Sequence, residues 1–276
     1  MSSVSAALAG IDAFEADTFQ NVAWFLDRTD TLNRIRALVR NPALIDQRGL
    51  NACAPAIFFR VWFARDPEAA ATFACTLMRD GVASIGSLQV APSRKLLAQR
   101  YALLRSAIDG AHPGATPEGA DWMLLSGLRD SENVWFDYAG EPYTAADAVA
   151  GLTLPSTLAG WLSATNLYSS VENDTNIISS GDPQKLLSQI PTSGVDVLLL
   201  VNAAAIYVVP APTGQAPAAD LFVVPNHYVL MTAPFALWND PAWIKIECWS
   251  WGKTYAGWQG AAKFGSNYFG LVIPKV

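Results

Sequence analysis

Histidine is scarce in this chain. There are two in 276 residues, His112 and His227. Chemistry that needs an imidazole base therefore has two places to be, and a centre built from several histidines has none. Cysteine is scarce too. Cys53, Cys75 and Cys248 leave an odd thiol, and their wide spacing matches neither a disulfide framework nor a zinc site. A reducing compartment is the simpler reading. Charged residues make up 15% of the chain and the net charge is −6. No run of lysine or arginine supplies the electrostatic footprint of a nucleic-acid binder. The longest apolar stretch, near Val195 to Pro210, contains Asn202 and is too short to cross a bilayer as one helix. Met1 to Gly10 has neither a basic region nor a sustained apolar core, which argues against a conventional secretory signal. There is no Gly-rich phosphate loop, no HExxH and no Cys/His cluster, so neither cofactor nor metal is expected. No internal repeat and no low-complexity segment stands out.

Apolar residues, by contrast, are plentiful, at 51% of the chain, with ten tryptophans. That is enough to bury a large core. Helical spacing dominates the first part. It predicts helices over Ile11 to Leu26, Leu32 to Val39 (capped by Asp30 or Thr31), Cys53 to Ala64, Pro67 to Met78 with Asp66 as N-cap, Pro92 to Ile108, and Pro117 to Leu128. Pro155 to Ala164 and a short turn after Asp182-Pro183 continue the series. The period then changes. Val195 to Val201, Ile206 to Val209, Phe222 to Thr232, Trp243 to Trp249, Lys253 to Trp258 and Tyr268 to Ile273 read as strands between Pro, Gly and Asn-Asp breaks. Helices first and an antiparallel sheet last is an α+β order. The expectation is one domain over 1–276, with a helical lobe over about 1–192 and a sheet lobe over about 193–276.

Cys53 is the residue that suggests chemistry. It follows Gln47-Arg48-Gly49-Leu50-Asn51-Ala52 and opens an apolar helix. A helix N-terminus favours thiolate over thiol. His227 lies late, in the strand-like Asn226-His227-Tyr228-Val229-Leu230-Met231. A thiol nucleophile, an imidazole base that pairs with it as imidazolium, and an oxyanion donor make up thiol hydrolysis. Gln47, six residues before Cys53, has a side-chain amide suited to the third role. The plainer readings are that Cys53 is a small buried hydrophobe, His227 a core histidine bonded to a carbonyl, and Gln47 an exposed loop residue. Cys75 and Cys248 read as packing. His112, beside Pro113-Gly114, reads as a solvated loop residue. The aromatic residues dense between Tyr228 and Tyr268 suit packing, or a groove for peptide.

These residues resemble the papain-like cysteine proteases. Gln47 and Cys53 keep that family's offset between oxyanion glutamine and nucleophile. Asn51-Ala52-Cys53-Ala54-Pro55 resembles the Asn-x-Cys-Gly-Pro of bacterial members, and His227-Tyr228-Val229-Leu230 looks like their histidine strand. Ser250-Trp251-Gly252 is similar to the Ser-Trp-Gly that follows papain's third catalytic residue. The resemblance covers about 45–65 and 195–275. As a whole the chain looks like papain-fold domains of bacterial secretion-system toxins, including type VI effectors. Two positions depart from the pattern. Ala54 replaces the glycine after the nucleophile, and Trp249 stands where the orienting asparagine belongs. An indole N–H donates only and cannot accept from a histidine. Glu247, on the same strand face as Trp249, is the expected substitute, with Asn239 and Asp240 as further options.

The resemblance implies a papain-like α+β fold and a cysteine hydrolase acting on a protein or peptide substrate. Cys53, His227, Gln47 and Glu247 would be its site residues. It also implies synthesis in a bacterial cytoplasm, delivery without a signal peptide, and a cognate immunity protein as partner, with no nucleic acid and no membrane span. The rival readings are a deamidase, transglutaminase or acyltransferase using the same Cys–His pair, a catalytically inactive binding module on the same scaffold, and a plain structural domain.

Overall fold

The computed structural model describes residues 3–18, 22–132, 140–141, 153–237 and 242–276. The chain forms two compact units, Met1–Thr153 and Leu154–Val276. The fold is α+β, as the order of periods predicts. The division falls earlier than the expected 192, because a helix and a polar strand after residue 153 belong with the sheet.

The first unit is helical. Among the described residues it holds α1 (Val4–Ala16), α2 (Arg28–Arg40), α3 (Cys53–Arg65), α4 (Pro67–Asp80), α5 (Arg94–Leu97), α6 (Tyr101–Ala111) and α7 (Gly119–Ser131). A small hairpin of β1 (Ala83–Ile85) and β2 (Leu88–Val90) interrupts the series. The helix ends follow local chemistry. Asp66 accepts from the Ala69 N–H, Pro67 opens α4, and Gly81 closes it at φ 72°. Asp27, rather than Asp30 or Thr31, caps α2 by accepting from the Asp30 N–H. The expected helix from Pro92 to Ile108 is two helices, each with its own start. Helix α3 is the centre of the unit. Ala54 to Phe59 and Val61 to Phe63 are all buried. A helix apolar on every side belongs in a core.

The second unit is built on an antiparallel sheet of β3 (Ser170–Thr175), β4 (Leu198–Val201), β5 (His227–Met231), β6 (Ala236–Leu237), β7 (Trp243–Ser250), β8 (Lys253–Gly260) and β9 (Tyr268–Lys275). Its order is β3-β9-β4-β5-β7-β6. Strands β5 and β6 share one edge of β7, and β8 lines the other for its full length. Helices α8 (Pro155–Ala164), α9 (Pro183–Leu187) and α10 (Ala261–Ser266) accompany the sheet, and α8 packs on β3 and β9. Strand β4 shows no alternation of buried and exposed positions, because Leu198 to Val201 are all buried. Central strands of this kind read as continuous apolar runs. The strand expected over Ile206 to Val209 is a 3-10 turn over Ala203–Ile206 followed by a single bridge from Val209 to Trp258.

Candidate functional site

In the first unit, Cys53 is the first residue of α3. Ala52 precedes it at φ −128°, and no side chain caps the helix start. The amide end of the helix dipole is therefore not satisfied by a capping oxygen. Ala54 sits within the regular helix and is fully buried, so a glycine is not required there. Cys53 is half-buried. The other two thiols are different. Burial pushes Cys75 and Cys248 each up to about 12, so both stay protonated at neutral pH. Their side chains pack in the cores of their units, as expected.

Gln47 lies in the loop that leads to Cys53, and it is buried rather than exposed. Its carbonyl accepts from the Leu50 N–H at 2.9 Å. The loop turns at Arg48, whose φ is +46°. The Gly49 N–H bonds the Ala115 carbonyl at 2.9 Å. His112 is exposed at the end of α6.

In the second unit, His227 opens β5 and is 4% exposed. Its Nε2 lies 2.5 Å from Ser250 Oγ. Strand register explains the pairing. Leu230 is opposite Trp249 and Met231 opposite Cys248. With a period of two, His227, Val229 and Met231 share a face with Cys248 and Ser250, and His227 meets Ser250 on the diagonal. Glu247 is on the other face. Its carboxylate accepts from the Thr232 hydroxyl at 3.3 Å, and its carbonyl accepts from the Thr232 N–H at 3.0 Å. The partner of His227 is thus Ser250 and not Glu247. A hydroxyl can accept from an imidazole N–H where the Trp249 indole cannot. Asn239 and Asp240 lie outside the described residues.

Trp251 covers the imidazole. The rings are stacked at 4.1 Å between centroids and 14° between planes. The stack depends on a tight hairpin turn. Ser250 pairs with Lys253, with Trp251 at φ +47° and Gly252 at φ +70° between them. Two left-handed residues define a type I′ turn, which normally takes Asn-Gly. A tryptophan there is strained by about 1–2 kcal/mol. Residues held in such sparsely populated backbone conformations cluster at active sites, ligand clamps and switch regions.

Burial alone pushes His227 down to about 3. The ring is neutral at pH 7. The imidazolium expected for a resting ion pair with a thiolate is therefore not the form this environment favours. The neutral ring is a base with one nitrogen held by Ser250. The other, Nδ1, bonds none of the described residues.

The chain matches no protein-family model, no curated protein and no solved structure.

Among the described residues no group of three or more His, Cys, Asp or Glu is placed to hold a metal. Among them, too, no helix is long and apolar enough to cross a membrane. Two roles escaped the sequence reading. Ser250 was visible only as part of Ser-Trp-Gly, and nothing local distinguishes its hydroxyl from that of any other strand-end serine. Trp251 carried one signal. A bulky residue before Gly252, between two alternating strands, occupies a turn position that disfavours it.

Proposed function

We propose that the chain is a papain-like cysteine hydrolase that attacks a peptide or amide carbonyl. Cys53 is the nucleophile, His227 the base and then the acid, Gln47 an oxyanion donor, and Ser250 takes the orienting role that an asparagine fills in papain. The observation that carries this reading is the fixed imidazole. A buried polar side chain usually has at least one hydrogen-bond partner, and a neutral imidazole offers one donor and one acceptor. His227 has Nε2 held by Ser250, a tryptophan stacked on its face, and Nδ1 unengaged by the described residues.

The chemistry runs in two halves. Nδ1 takes the Cys53 thiol proton as Sγ attacks the carbonyl carbon, and the C=O electron pair moves to oxygen. The oxyanion is met by the Gln47 amide and by N–H groups at the start of α3. The C–N bond then breaks, and Nδ1 returns the proton to the departing amine. Water attacks the thioester by the same exchange, releasing the acid and restoring the thiol. Deamidation and acyl transfer pass through the same thioester and differ only in the second nucleophile.

Thiol labelling and substitution test the proposal. Iodoacetamide is expected to modify Cys53 well ahead of Cys75 and Cys248, and His227→Ala to slow that reaction. A short bifunctional alkylating reagent is expected to join Cys53 to His227. Cys53→Ala is expected to abolish turnover of a treated proteome, read as new chain termini or deamidated side chains. Labelling of Cys75 or Cys248 first, or turnover that survives Cys53→Ala, would refute the assignment.

A further inference from the structure

The path of the loop before Cys53 is set by a buried ion pair far from it in sequence. Arg34, on α2, grips Asp121, in the first turn of α7, through two nitrogens. Nη2 is 2.6 Å from Oδ2 and Nε is 3.3 Å from Oδ1. The Asp121 side chain is fully buried and that of Arg34 is 20% exposed. The same two groups also hold main chain. Arg34 Nη2 donates to the Leu44 carbonyl at 2.6 Å, and Asp121 Oδ2 accepts from the Asp46 N–H at 3.4 Å. Those are the residues just before Gln47. Asp46 passes the constraint on, because its carboxylate accepts from the Arg48 N–H at 2.9 Å where the chain turns left-handed. On the far side the Gly49 N–H and the Arg48 guanidinium bond the Ala115 and Gly114 carbonyls, at 2.9 and 3.1 Å.

A buried ion pair kept only for stability is replaceable by apolar side chains of similar volume, often without loss. This pair is not equivalent to such a filling. An apolar pair would leave the Leu44 carbonyl and the Asp46 N–H without these partners. The pair is therefore better explained by what it positions than by what it stabilises.

We infer that Arg34 and Asp121 are positioning residues for the thiol chemistry. They fix the main chain from Leu44 to Arg48, and through it the placement of Gln47 and the approach to Cys53. The inference rests on the proposed roles of Gln47 and Cys53.

The test uses the full chain with Asp121→Asn, which keeps the shape and removes the charge, and Arg34→Lys, which keeps a charge but has one nitrogen for three bonds. Amide hydrogen exchange at Asp46, Arg48, Gly49 and Leu50 is expected to quicken by about 10-fold or more while amides within α3 hold, as for a local opening. Turnover is expected to fall by about 10- to 100-fold with KM within about twofold, the size of effect that misplacement brings. The decisive arm is a double-mutant cycle. In a Gln47→Ala background the same substitutions are expected to cost less than about threefold further, because a residue acting through Gln47 has nothing left to position. Equal losses with and without Gln47, or unchanged exchange over 46–50, would overturn the inference. If Asp121→Asn does not fold, Arg34→Lys carries all three arms. If the wild-type chain shows no turnover, the proposed function has failed, and exchange over 46–50 alone then decides whether the pair positions the loop.

Discussion

Acidification should weaken the second unit through His227, and the size of the effect follows from its burial. In the unfolded chain the ring has its ordinary value of 6.5, and in the folded chain burial lowers it to about 3. The native state thus binds fewer protons than the unfolded state between those two values. The stabilisation from this group is fully present above 6.5 and is lost progressively as pH falls toward 3. From 6.5 down to pH 5 is 1.5 units at about 1.4 kcal/mol each, or about 2 kcal/mol, and the full span corresponds to about 5 kcal/mol. The comparison variant is His227→Gln, whose amide can still bond Ser250 and does not titrate in this range. Placing His112→Asn in both proteins leaves one imidazole in one and none in the other. Denaturant unfolding at pH 7 and pH 5, read as a difference of differences, should show the protein that keeps His227 losing about 2 kcal/mol more than its His227→Gln counterpart. A ring NMR titration reads the same event directly, with no ambiguity of assignment. A ring that protonates near its ordinary value, with equal stability losses in the two proteins, would refute the argument. It would mean that desolvation is not the force that dominates at this histidine. A ring with its ordinary value of 6.5 would still be mostly neutral at pH 7, so the resting form assigned to the proposed base would not change.

Three further expectations follow from particular contacts. Ser250→Ala removes the hydroxyl partner of Nε2 and leaves the turn intact, so turnover should drop by about 10- to 100-fold, the worth of one hydrogen bond to a buried polar group, with Cys53 still open to alkylation in a steady-state and labelling comparison. Asp121 moves opposite to His227. Burial outweighs its Arg34 partner and raises it from 3.8 to about 6, so its protonated form is favoured by folding. Its contribution is present below 3.8 and is lost as pH rises through 6, while Arg34, itself raised, stays charged throughout. Urea unfolding of the first unit at pH 4.5 and pH 7 should show this gain on acidification in the wild type and not in Asp121→Asn. Phe222 is fully exposed at φ +54°, between Leu221 and Val224, which are also exposed. Phe222→Gly relieves a left-handed conformation worth about 1–2 kcal/mol and adds unfolded-chain freedom worth about 0.5–1 kcal/mol, so thermal unfolding should show a net gain of up to about 1.5 kcal/mol. A loss would show that the ring packs where the structure leaves it in solvent.

What the sequence alone determined is what local chemistry controls. Asp66-Pro67 and Gly81 bracket α4 because capping and left-handed φ act within a few residues. Pro155 and Asp182-Pro183 start their helices for the same reason. The order of periods yielded the α+β class, and Cys53 at a helix start was legible from the apolar run that follows it. Strand β3 escaped because Ser170 to Thr175 is almost wholly polar, and only its pairing with β9 makes it a strand. Ser250, not Glu247, serves His227 because a register set across the sheet decides which side chains share a face. Arg34 and Asp121 meet across 87 residues of chain. Caps and periods are short-range and can be read along the backbone. A hydrogen bond between distant segments depends on how the chain has already packed, and that information exists only in three dimensions.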